Sequence, residues 1–205
     1  MEKIDIIIPI YSRTLHTEKC LESVKNFTDN YNLIIIEKMQ SSAKSINEGL
    51  LQVKSSWFVI MNDDIIVGPN WLDTLIKHTS EEIGQIQPKI LFPFQKRIYS
   101  AEILPKLIRN GYLDIDTDDK YSYVKEGDLL AGECGLYNSK ILKNIKQDEN
   151  FKGCSYNDLD FSLNIKKDGF KLLYCGEAEV IKHSFFKSTD INARNYFKAK
   201  WNLGE

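Results

Sequence analysis

KIDIIIPI, residues 3–10, is an apolar run rich in β-branched side chains, and it has the length of one strand. Such a run is apolar on both faces, as in a parallel strand that helices cover on each side of the sheet. NLIIIE at residues 32–37 and WFVIM at residues 57–61 have the same character. We therefore predict three buried strands within the first third of the chain.

Two segments with helical periodicity separate these strands. Ser12 or Thr14 is a candidate cap for the first helix, and Ser41 or Ser42 is a candidate cap for the second. Alternating strands and helices imply right-handed crossovers and an α/β fold with a parallel, doubly wound sheet. The apolar residues that define the two helical stripes are Cys20, Leu21, Val24 and Phe27 in the first helix, and Ala43, Ile46, Leu50 and Val53 in the second.

The remaining chain is less regular. Gly169 follows a helical pattern and is a candidate C-cap. Residues 105–127, rich in Asp, Lys, Gly and Tyr, are typical of a long loop or an edge hairpin that contacts substrate. The pattern predicts helices at residues 71–82, 138–146 and 157–169, short strands with a proline break at 83–91 and 97–104, and two last strands at 170–176 and 179–183.

Composition narrows the class of protein. The chain has 205 residues, of which 42% are hydrophobic and 27% charged, and these values exclude disordered and low-complexity classes. A formal net charge of −2 argues against a nucleic-acid-binding protein. The four cysteines are scattered without a C-x-x-C pair, so we expect free thiols rather than a zinc or redox motif. We predict one domain without a linker.

The lengths of the apolar segments predict where in the cell the protein lies. The N-terminal apolar run stops at Pro9 and lacks the length and cleavage site of a secretory signal. No stretch approaches the roughly 20 apolar residues that a transmembrane helix needs. We therefore expect no transmembrane segment, and a location in the cytoplasm or peripherally at the inner face of the membrane.

Two adjacent acids follow the third predicted strand. In FVIMNDDIIVGPNWL, residues 58–72, Asp63 and Asp64 come directly after the apolar run and before Gly68 and Pro69. Ligands of parallel sheets bind at the carboxyl ends of the strands, which places this pair at the rim of a cleft. Mg²⁺ and Mn²⁺ prefer oxygen ligands and share their shell with substrate phosphates. The pair therefore indicates a metal–diphosphate site, although a solvated turn explains it equally well.

A second cluster lies near the end of the chain. Asp158 and Asp160 open a predicted helix, where acids are favoured by the helix dipole. Because they are two residues apart, they point in different directions, so one can cap the helix while the other faces a cleft. His183 ends the last strand and, taken alone, fits a structural histidine better than a metal ligand.

In order, these segments resemble the successive blocks of family 2 glycosyltransferases of the GT-A fold, particularly the rhamnosyltransferase-like members. The resemblance runs from about residue 4 to about residue 187. The matching blocks are IDIIIPIYSR (4–13), CLESV (20–24), IIIE (34–37), SINEGL (45–50), FVIMNDDIIVGPNWL (58–72), AGECGLYN (131–138), DENFKGCSYNDLDFSLNIKKDGFKLLY (148–174) and EAEVIKH (177–183).

The resemblance implies a Rossmann-like, mostly parallel central sheet and an inverting sugar transfer. The donor would be a UDP-, GDP- or dTDP-linked sugar, and the acceptor a hydroxyl of a glycan or lipid-linked saccharide. A divalent metal, Mn²⁺ or Mg²⁺, would bind the donor's diphosphate. Within one domain of residues 1–205, the family pattern implies a nucleotide-binding half at 1–91, an acceptor and metal half at 92–187, and a C-terminal tail at 188–205.

The resemblance also implies roles for individual residues. Asn62, Asp63 and Asp64 occupy the family's D-x-D position, with Asp64 on the metal and Asp63 on the ribose or sugar. Asp158, in YNDLDF at 156–161, would be the general base, and His183 would complete the metal site. The residues implied to contact the nucleotide or diphosphate are Pro9, Tyr11 and Arg13 in the first-strand loop, Glu37 near the base or ribose, and Lys44 and Asn47 beside the diphosphate.

Two departures from the family pattern leave a second function as an alternative. Asn62 replaces the usual first acid. Asn157 replaces the usual Glu beside the base, a change that bears on how the acceptor is positioned. A non-catalytic nucleotide-sugar-binding module is therefore the main alternative. A nucleotidyltransferase is disfavoured because PIYSRTLHTEK, residues 9–19, lacks the glycine-rich loop that such enzymes use.

Overall fold

In the computed structural model, the described residues are 3–37, 41–94, 96–101, 115–153, 155–183 and 190–202. Short 3₁₀ segments lie at Thr117–Asp119 and Ser139–Lys143. The strands are β1 (Ile4–Ile10), β2 (Tyr31–Glu37), β3 (Trp57–Met61), β4 (Ile65–Val67), β5 (Ile83–Leu91), β6 (Ile98–Ser100), β7 (Val124–Gly127), β8 (Cys134–Asn138) and β9 (Lys171–Lys182). The helices are α1 (Leu15–Phe27), α2 (Ser42–Leu50), α3 (Trp71–Ile76), α4 (Asn157–Lys167) and α5 (Ile191–Lys200).

These strands form one mixed, mostly parallel sheet. The strand order is β2-β1-β3-β8-β5-β9-β4, and β6 and β7 pair with β5 and β9 respectively. Strands β2, β1, β3, β5 and β9 run in one direction, whereas β8 and β4 run in the other. The carboxyl ends of β1, β3 and β9 consequently lie at the same edge of the sheet.

Helices cover both faces of this sheet, as the apolar runs predict. On one face, Cys20 and Val24 of α1 and Leu75 of α3 belong to one buried cluster with the even-numbered isoleucines of β1. On the other face, α2 packs against β1 and β2, and α4 packs against β5 and β9. Their buried side chains share one cluster with Ile7 of β1 and the alternate residues of β3. One sheet between two cores makes the chain a single mixed α/β domain.

The predicted caps are observed at three helix ends. Thr14 caps α1 in a reciprocal capping box with Thr17, and the Ser41 side chain accepts from the Lys44 backbone N–H at the start of α2. Gly169 has φ +92° after α4, a conformation that favours glycine, and its N–H donates to the Lys166 carbonyl. Local sequence therefore sets where these helices begin and end.

Several predicted element boundaries were wrong. Residues 83–91 form one strand, because Pro88 lies where the pairing of β5 with β9 shifts register and its missing N–H is tolerated. The last two predicted strands form the continuous β9, with the same irregularity after Cys175. Helix α3 ends at Ile76, and residues 139–143 form a 3₁₀ segment rather than an α-helix.

Residues 105–127 were predicted as a loop or edge hairpin. The structure describes residues 115–127 of this segment, where a 3₁₀ turn is followed by β7 at the margin of the sheet. The earlier part, 105–114, lies outside the described residues. The observed part therefore fits the prediction of an edge element.

The C-terminal helix α5 is fixed to the domain by partly buried polar contacts. Lys200 bridges Asp160 at 2.8 Å and Asp148 at 2.7 Å, and the Trp201 indole N–H donates to Asp160 at 2.9 Å. Phe197 packs beside them against Phe151. Asp160 thus anchors the terminal helix through its side chain.

We predict that Asp148 stabilises the fold in a pH-dependent way. Burial acts to raise the pKa of Asp148, but hydrogen bonds from Lys200, the Asn150 backbone and Tyr196 lower it to about 2. Since the folded-state pKa lies below the ordinary value of 3.8, the stabilisation is present above about pH 4 and is lost as pH falls towards 2.

Asp148→Asn should therefore lower the free energy of unfolding by about 1–2 kcal/mol at neutral pH. The difference from the unmodified protein should shrink below about pH 4, as measured by urea unfolding at several pH values. Substitution of the exposed Asp29 by Asn is the matched control. A difference that stays constant across this range would contradict the assignment.

Candidate active site

The strand register brings Asp64 and His183 together at the edge of the sheet. Strand β4 pairs antiparallel with the end of β9, with Ile65 opposite Lys182. As a result, the His183 backbone N–H donates to the Asp64 carbonyl oxygen at 3.0 Å. Residues that lie 119 positions apart in the sequence are therefore neighbours, as the predicted metal site requires.

The Asp64 carboxylate is paired with an ammonium group. Lys182 Nζ lies 2.8 Å from Asp64 Oδ1 and 2.9 Å from Asp64 Oδ2. The Lys182 side chain is 7% exposed and the Asp64 side chain 14%. The ammonium also lies 5.3 Å from the centre of the Tyr99 ring, over its face. This is a nearly dry ion pair at the predicted metal-binding position.

The two adjacent acids point in different directions. Asp63 Oδ2 accepts a hydrogen bond of 2.9 Å from Thr17 Oγ1, on the first turn of α1. Burial raises the pKa of Asp63 and so does the nearby charge of Asp64, while the Thr17 hydrogen bond opposes them. Asp63 therefore faces the start of α1, and Asp64 faces the end of β9.

A second imidazole lies beside His183. The rings of His16 and His183 are 5.4 Å apart between centroids. Burial lowers the pKa of His183, and His16 and Lys19 lower it further, against the opposing effect of Asp64. The neutral imidazole, which is the form that binds metals, is therefore favoured. Sequence reasoning missed His16, which carries no motif.

Asp158 lies close to a glutamate that the sequence analysis did not select. Asp158 Oδ2 accepts from the Gly132 backbone N–H at 3.1 Å, and a Cβ on Gly132 would come within 2.6 Å of Asp158 Cβ. The next residue, Glu133, accepts from Tyr99 Oη at 2.8 Å, and its backbone oxygen accepts from Asn62 N–H at 2.8 Å. Asp158 and Glu133 are thus joined to the Asn62 segment through short contacts.

The charges of these acids influence one another. Burial and then the negative charge of Asp158 raise the pKa of Glu133 to about 7, while Lys182 opposes both. Burial also raises the pKa of Asp158, against backbone hydrogen bonds from Gly132 and Leu159 and the charge of Lys182. Lys182 is therefore a common positive neighbour of both carboxyl groups.

Buried glutamines hold the strand segment that carries Glu133. Gln87 Oε1 accepts from the Ala131 N–H at 2.6 Å, and Gln85 Nε2 donates to the Ala131 carbonyl at 3.1 Å. Both glutamines are fully buried on β5. These two buried hydrogen bonds hold the Ala131 backbone on both sides, so Gly132 and Glu133 follow directly after a fixed point of the chain. The alternating polar residues of QIQPK, residues 85–89, were the signal for this network in the sequence.

The residues predicted to contact the nucleotide lie along the same edge. Pro9 is buried in β1, and Tyr11 beyond it is 73% exposed. The parallel register puts Ile10 opposite Glu37, and Arg13 reaches Glu37 at 2.9 Å. Arg13 and Glu37 are half-exposed, so they form a surface ion pair at the end of β1 and β2.

The side chains of Asn47 and Asn157 form hydrogen bonds within the protein. Asn47 holds the Gln147 backbone through two hydrogen bonds, of 2.9 Å and 3.0 Å. The Gln147 side chain accepts from Asn157 Nδ2 at 3.0 Å, next to Asp158. Asn157 therefore links helix α2 with the start of α4. Lys44 is exposed on the first turn of α2.

Two other features could hold a ligand, a cluster of side chains and a cleft. Within the described ranges, the group of three clustered metal-ligand side chains is His78, Cys175 and Glu177, which does not include the Asp64 side chain. A cleft of about 620 Å³ is lined by residues 144–150 together with Asn164, Lys167, Asp168 and Lys200. Neither feature contains Asp158 or His183.

The family assignment rests on a match over nearly the whole chain. The model of the family described as "Glycosyltransferase like family 2" matches residues 4–202. The chain belongs to glycosyltransferase family 2. No curated protein matches this family 2 glycosyltransferase in sequence. Among the helices of the described residues, none has the length and apolar character to cross a membrane.

A solved structure supports the GT-A fold of this family 2 glycosyltransferase. The structure is described as GalNAc-T7 with UDP, GalNAc and Mn²⁺, and it superimposes with a TM-score of 0.72 at 11% sequence identity. The match covers 98% of this chain but 49% of that chain, so the family 2 chain spans about half the length of its neighbour. The mixed sheet and its flanking helices thus match the GT-A fold.

Proposed function

We propose that this protein is an inverting glycosyltransferase that moves a sugar from a nucleoside diphosphate to an acceptor hydroxyl. The observation that carries the proposal is the gathering of Asp64, Glu133 and Asp158 around Lys182, beside His183. Family membership and the fold neighbour bound to UDP and Mn²⁺ support the same reading. The subtype we favour is rhamnosyltransferase-like, and the acceptor a glycan or lipid-linked saccharide.

Asp158 is the proposed general base. An acceptor hydroxyl is a poor nucleophile, and removing its proton during attack typically contributes about 10²–10⁴-fold. The Gly132 N–H fixes one oxygen of Asp158, which leaves the orientation of the carboxyl group defined. Attack opposite the leaving group inverts the anomeric carbon, so no enzyme nucleophile is needed.

A divalent cation, Mn²⁺ or Mg²⁺, fits the donor set at the edge of the sheet. Asp64 offers a carboxylate and His183 an imidazole whose neutral form is favoured, and Mn²⁺ accepts both ligand types. Such an ion, when bound, stabilises negative charge on the leaving diphosphate as a Lewis acid. Asp64 and His183 would hold it, and Asp63 would contact the ribose or sugar.

The remaining proposed contacts belong to the nucleotide-binding half, residues 1–91. Tyr11 and the Arg13–Glu37 pair are exposed at the end of β1 and β2, where a base and ribose can reach them. Pro9 would shape the turn below them. Lys44 would lie beside the diphosphate, and Asn47 would act through the Gln147 backbone that it holds.

Nucleotide binding tests this proposal first. UDP, GDP and dTDP, each with Mn²⁺, should be compared for their effect on the melting temperature, because a ligand of the folded state stabilises it by mass action. We expect one nucleotide to raise the melting temperature by several degrees. The absence of a shift with all three would count against the proposal. A shift without any sugar transfer would instead favour the non-catalytic binding module.

The close approach of Gly132 to Asp158 gives a prediction about positioning. Gly132→Ala places a methyl group 2.6 Å from Asp158 Cβ and should push the carboxyl group out of place. Because small displacements of catalytic groups are costly, we expect turnover to fall about 10²-fold. The affinity for the nucleotide should change little, as measured by calorimetry.

Gly68→Ala is the matched control, because a Cβ on Gly68 meets nothing within 4 Å. Gly68 also follows the adjacent acids in the sequence. If Gly132→Ala and Gly68→Ala retained equal turnover, Asp158 would not depend on the Gly132 contact for its position.

A further inference from the structure

Lys182 is the last residue of β9 and has an unusual environment for a lysine. Its side chain is 7% exposed, and its ammonium contacts both oxygens of Asp64 while lying over the Tyr99 ring. Lysine is rarely buried unless it is paired, so the surrounding charges must compensate for lost hydration. The compensation here comes from several carboxyl groups rather than one.

The compensating acids converge on Lys182 from different parts of the chain. Asp64 pairs with Lys182 directly. The positive charge of Lys182 also lowers the pKa values of Asp63, Glu133 and Asp158. The ammonium therefore lies among carboxyl groups whose negative charge would otherwise attract a divalent cation. A metal ion that reaches the Asp64 carboxylate competes with Lys182 for the same two oxygens.

We infer that Lys182 occupies the cation position on Asp64 until a nucleoside diphosphate binds, and that it then moves to the diphosphate. This inference rests on the proposed function, since it assigns a residue to that same site. A lysine ammonium on a flexible stem can follow an anion, and phosphate oxygens are strong acceptors for it. Divalent metal and diphosphate therefore bind together, and metal alone binds weakly.

The test is the affinity for Mn²⁺ in the absence of nucleotide, measured by titration calorimetry. Lys182→Met removes the competing charge and retains the apolar stem, so it should bind Mn²⁺ about tenfold more tightly than the unmodified protein. Lys182→Arg keeps the charge and should bind Mn²⁺ as weakly as the unmodified protein. Lys171→Met is the control, because Lys171 is on the same strand in an exposed ion pair with Glu82.

The complementary measurement is UDP binding in the presence of EDTA. If Lys182 moves to the diphosphate, Lys182→Met should bind UDP about tenfold more weakly, the usual effect of losing a hydrogen bond to a charged group. Circular dichroism verifies that each variant is folded. If Lys182→Met does not fold, Lys182→Gln serves as the neutral variant.

The outcomes separate this inference from the proposed function. Unchanged or weaker Mn²⁺ affinity in the neutral variants would overturn the inference, while UDP binding by the unmodified protein would leave the proposed function standing. Failure of the unmodified protein to bind UDP, GDP and dTDP with Mn²⁺ would overturn both. Tighter Mn²⁺ binding together with weaker UDP binding in EDTA is the result that the inference requires.

Discussion

Asp158→Asn should lower the rate of sugar transfer by about 10²–10⁴-fold, the usual contribution of general-base catalysis. The asparagine side chain has the same shape and can still accept from the Gly132 N–H, so the start of α4 should keep its structure. It cannot take a proton from the acceptor hydroxyl. The affinity for the nucleotide should therefore stay close to that of the unmodified protein.

The measurement compares the initial rate of nucleoside diphosphate release with the dissociation constant from calorimetry. Asp168→Asn is the matched control, because Asp168 is an exposed acid at the other end of α4 whose partner is Asn144. We expect the control to retain full turnover. Turnover within about threefold of the unmodified protein in Asp158→Asn would remove Asp158 from the role of base.

Removal of divalent cations should also stop transfer. The leaving diphosphate carries charge that a metal stabilises by several kcal/mol, so EDTA should lower the rate by at least about 10²-fold. Added Mn²⁺ or Mg²⁺ should restore it. In Asp64→Asn the added metal should restore little, because the carboxylate ligand is absent.

His78→Ala distinguishes the two places that could hold a metal. His78 lies in the cluster with Cys175 and Glu177, away from the Asp64 side chain, so this variant should recover full activity when Mn²⁺ is added back. Loss of recovery in His78→Ala, with normal recovery in Asp64→Asn, would move the metal to that cluster. Full activity of the unmodified protein in chelator would refute metal dependence itself.

The part of the fold that depends on local pattern could be predicted from the sequence. The strands β1, β2 and β3 are continuous apolar runs, and α1 and α2 have caps at Thr14 and Ser41. Each of these signals lies within a few residues of the element that it defines. The prediction of helices on both faces of the sheet followed from the same apolar runs and was confirmed.

The elements that were missed depend on distant partners. β8 contains Gly135 and Asn138, which weaken its strand pattern, and it forms because β3 and β5 pair with it on both sides. β9 continues past Gly176 because β5 pairs with it on both sides of that glycine, while β7 pairs with its first part and β4 with its last. Tertiary pairing decides these elements, and no short window of sequence contains it.

The same distinction applies to the candidate site. Asp63 and Asp64 were visible because a buried strand ends directly before them. The pairing of Lys182 with Asp64 could not be predicted, because it depends on the strand register that places Ile65 opposite Lys182. Glu133 was likewise hidden, since its environment depends on Tyr99 and Asp158 from other segments.

The proposed transfer requires nucleotide and metal to bind together at the edge formed by β1, β3 and β9. The most direct test is a crystal structure with Mn²⁺ and the nucleoside diphosphate that gives the largest thermal shift. We predict an anomalous manganese peak bonded to Asp64 and His183, with the diphosphate in contact with Lys182. A nucleotide bound in the cleft of residues 144–150, with no manganese at Asp64, would contradict the account.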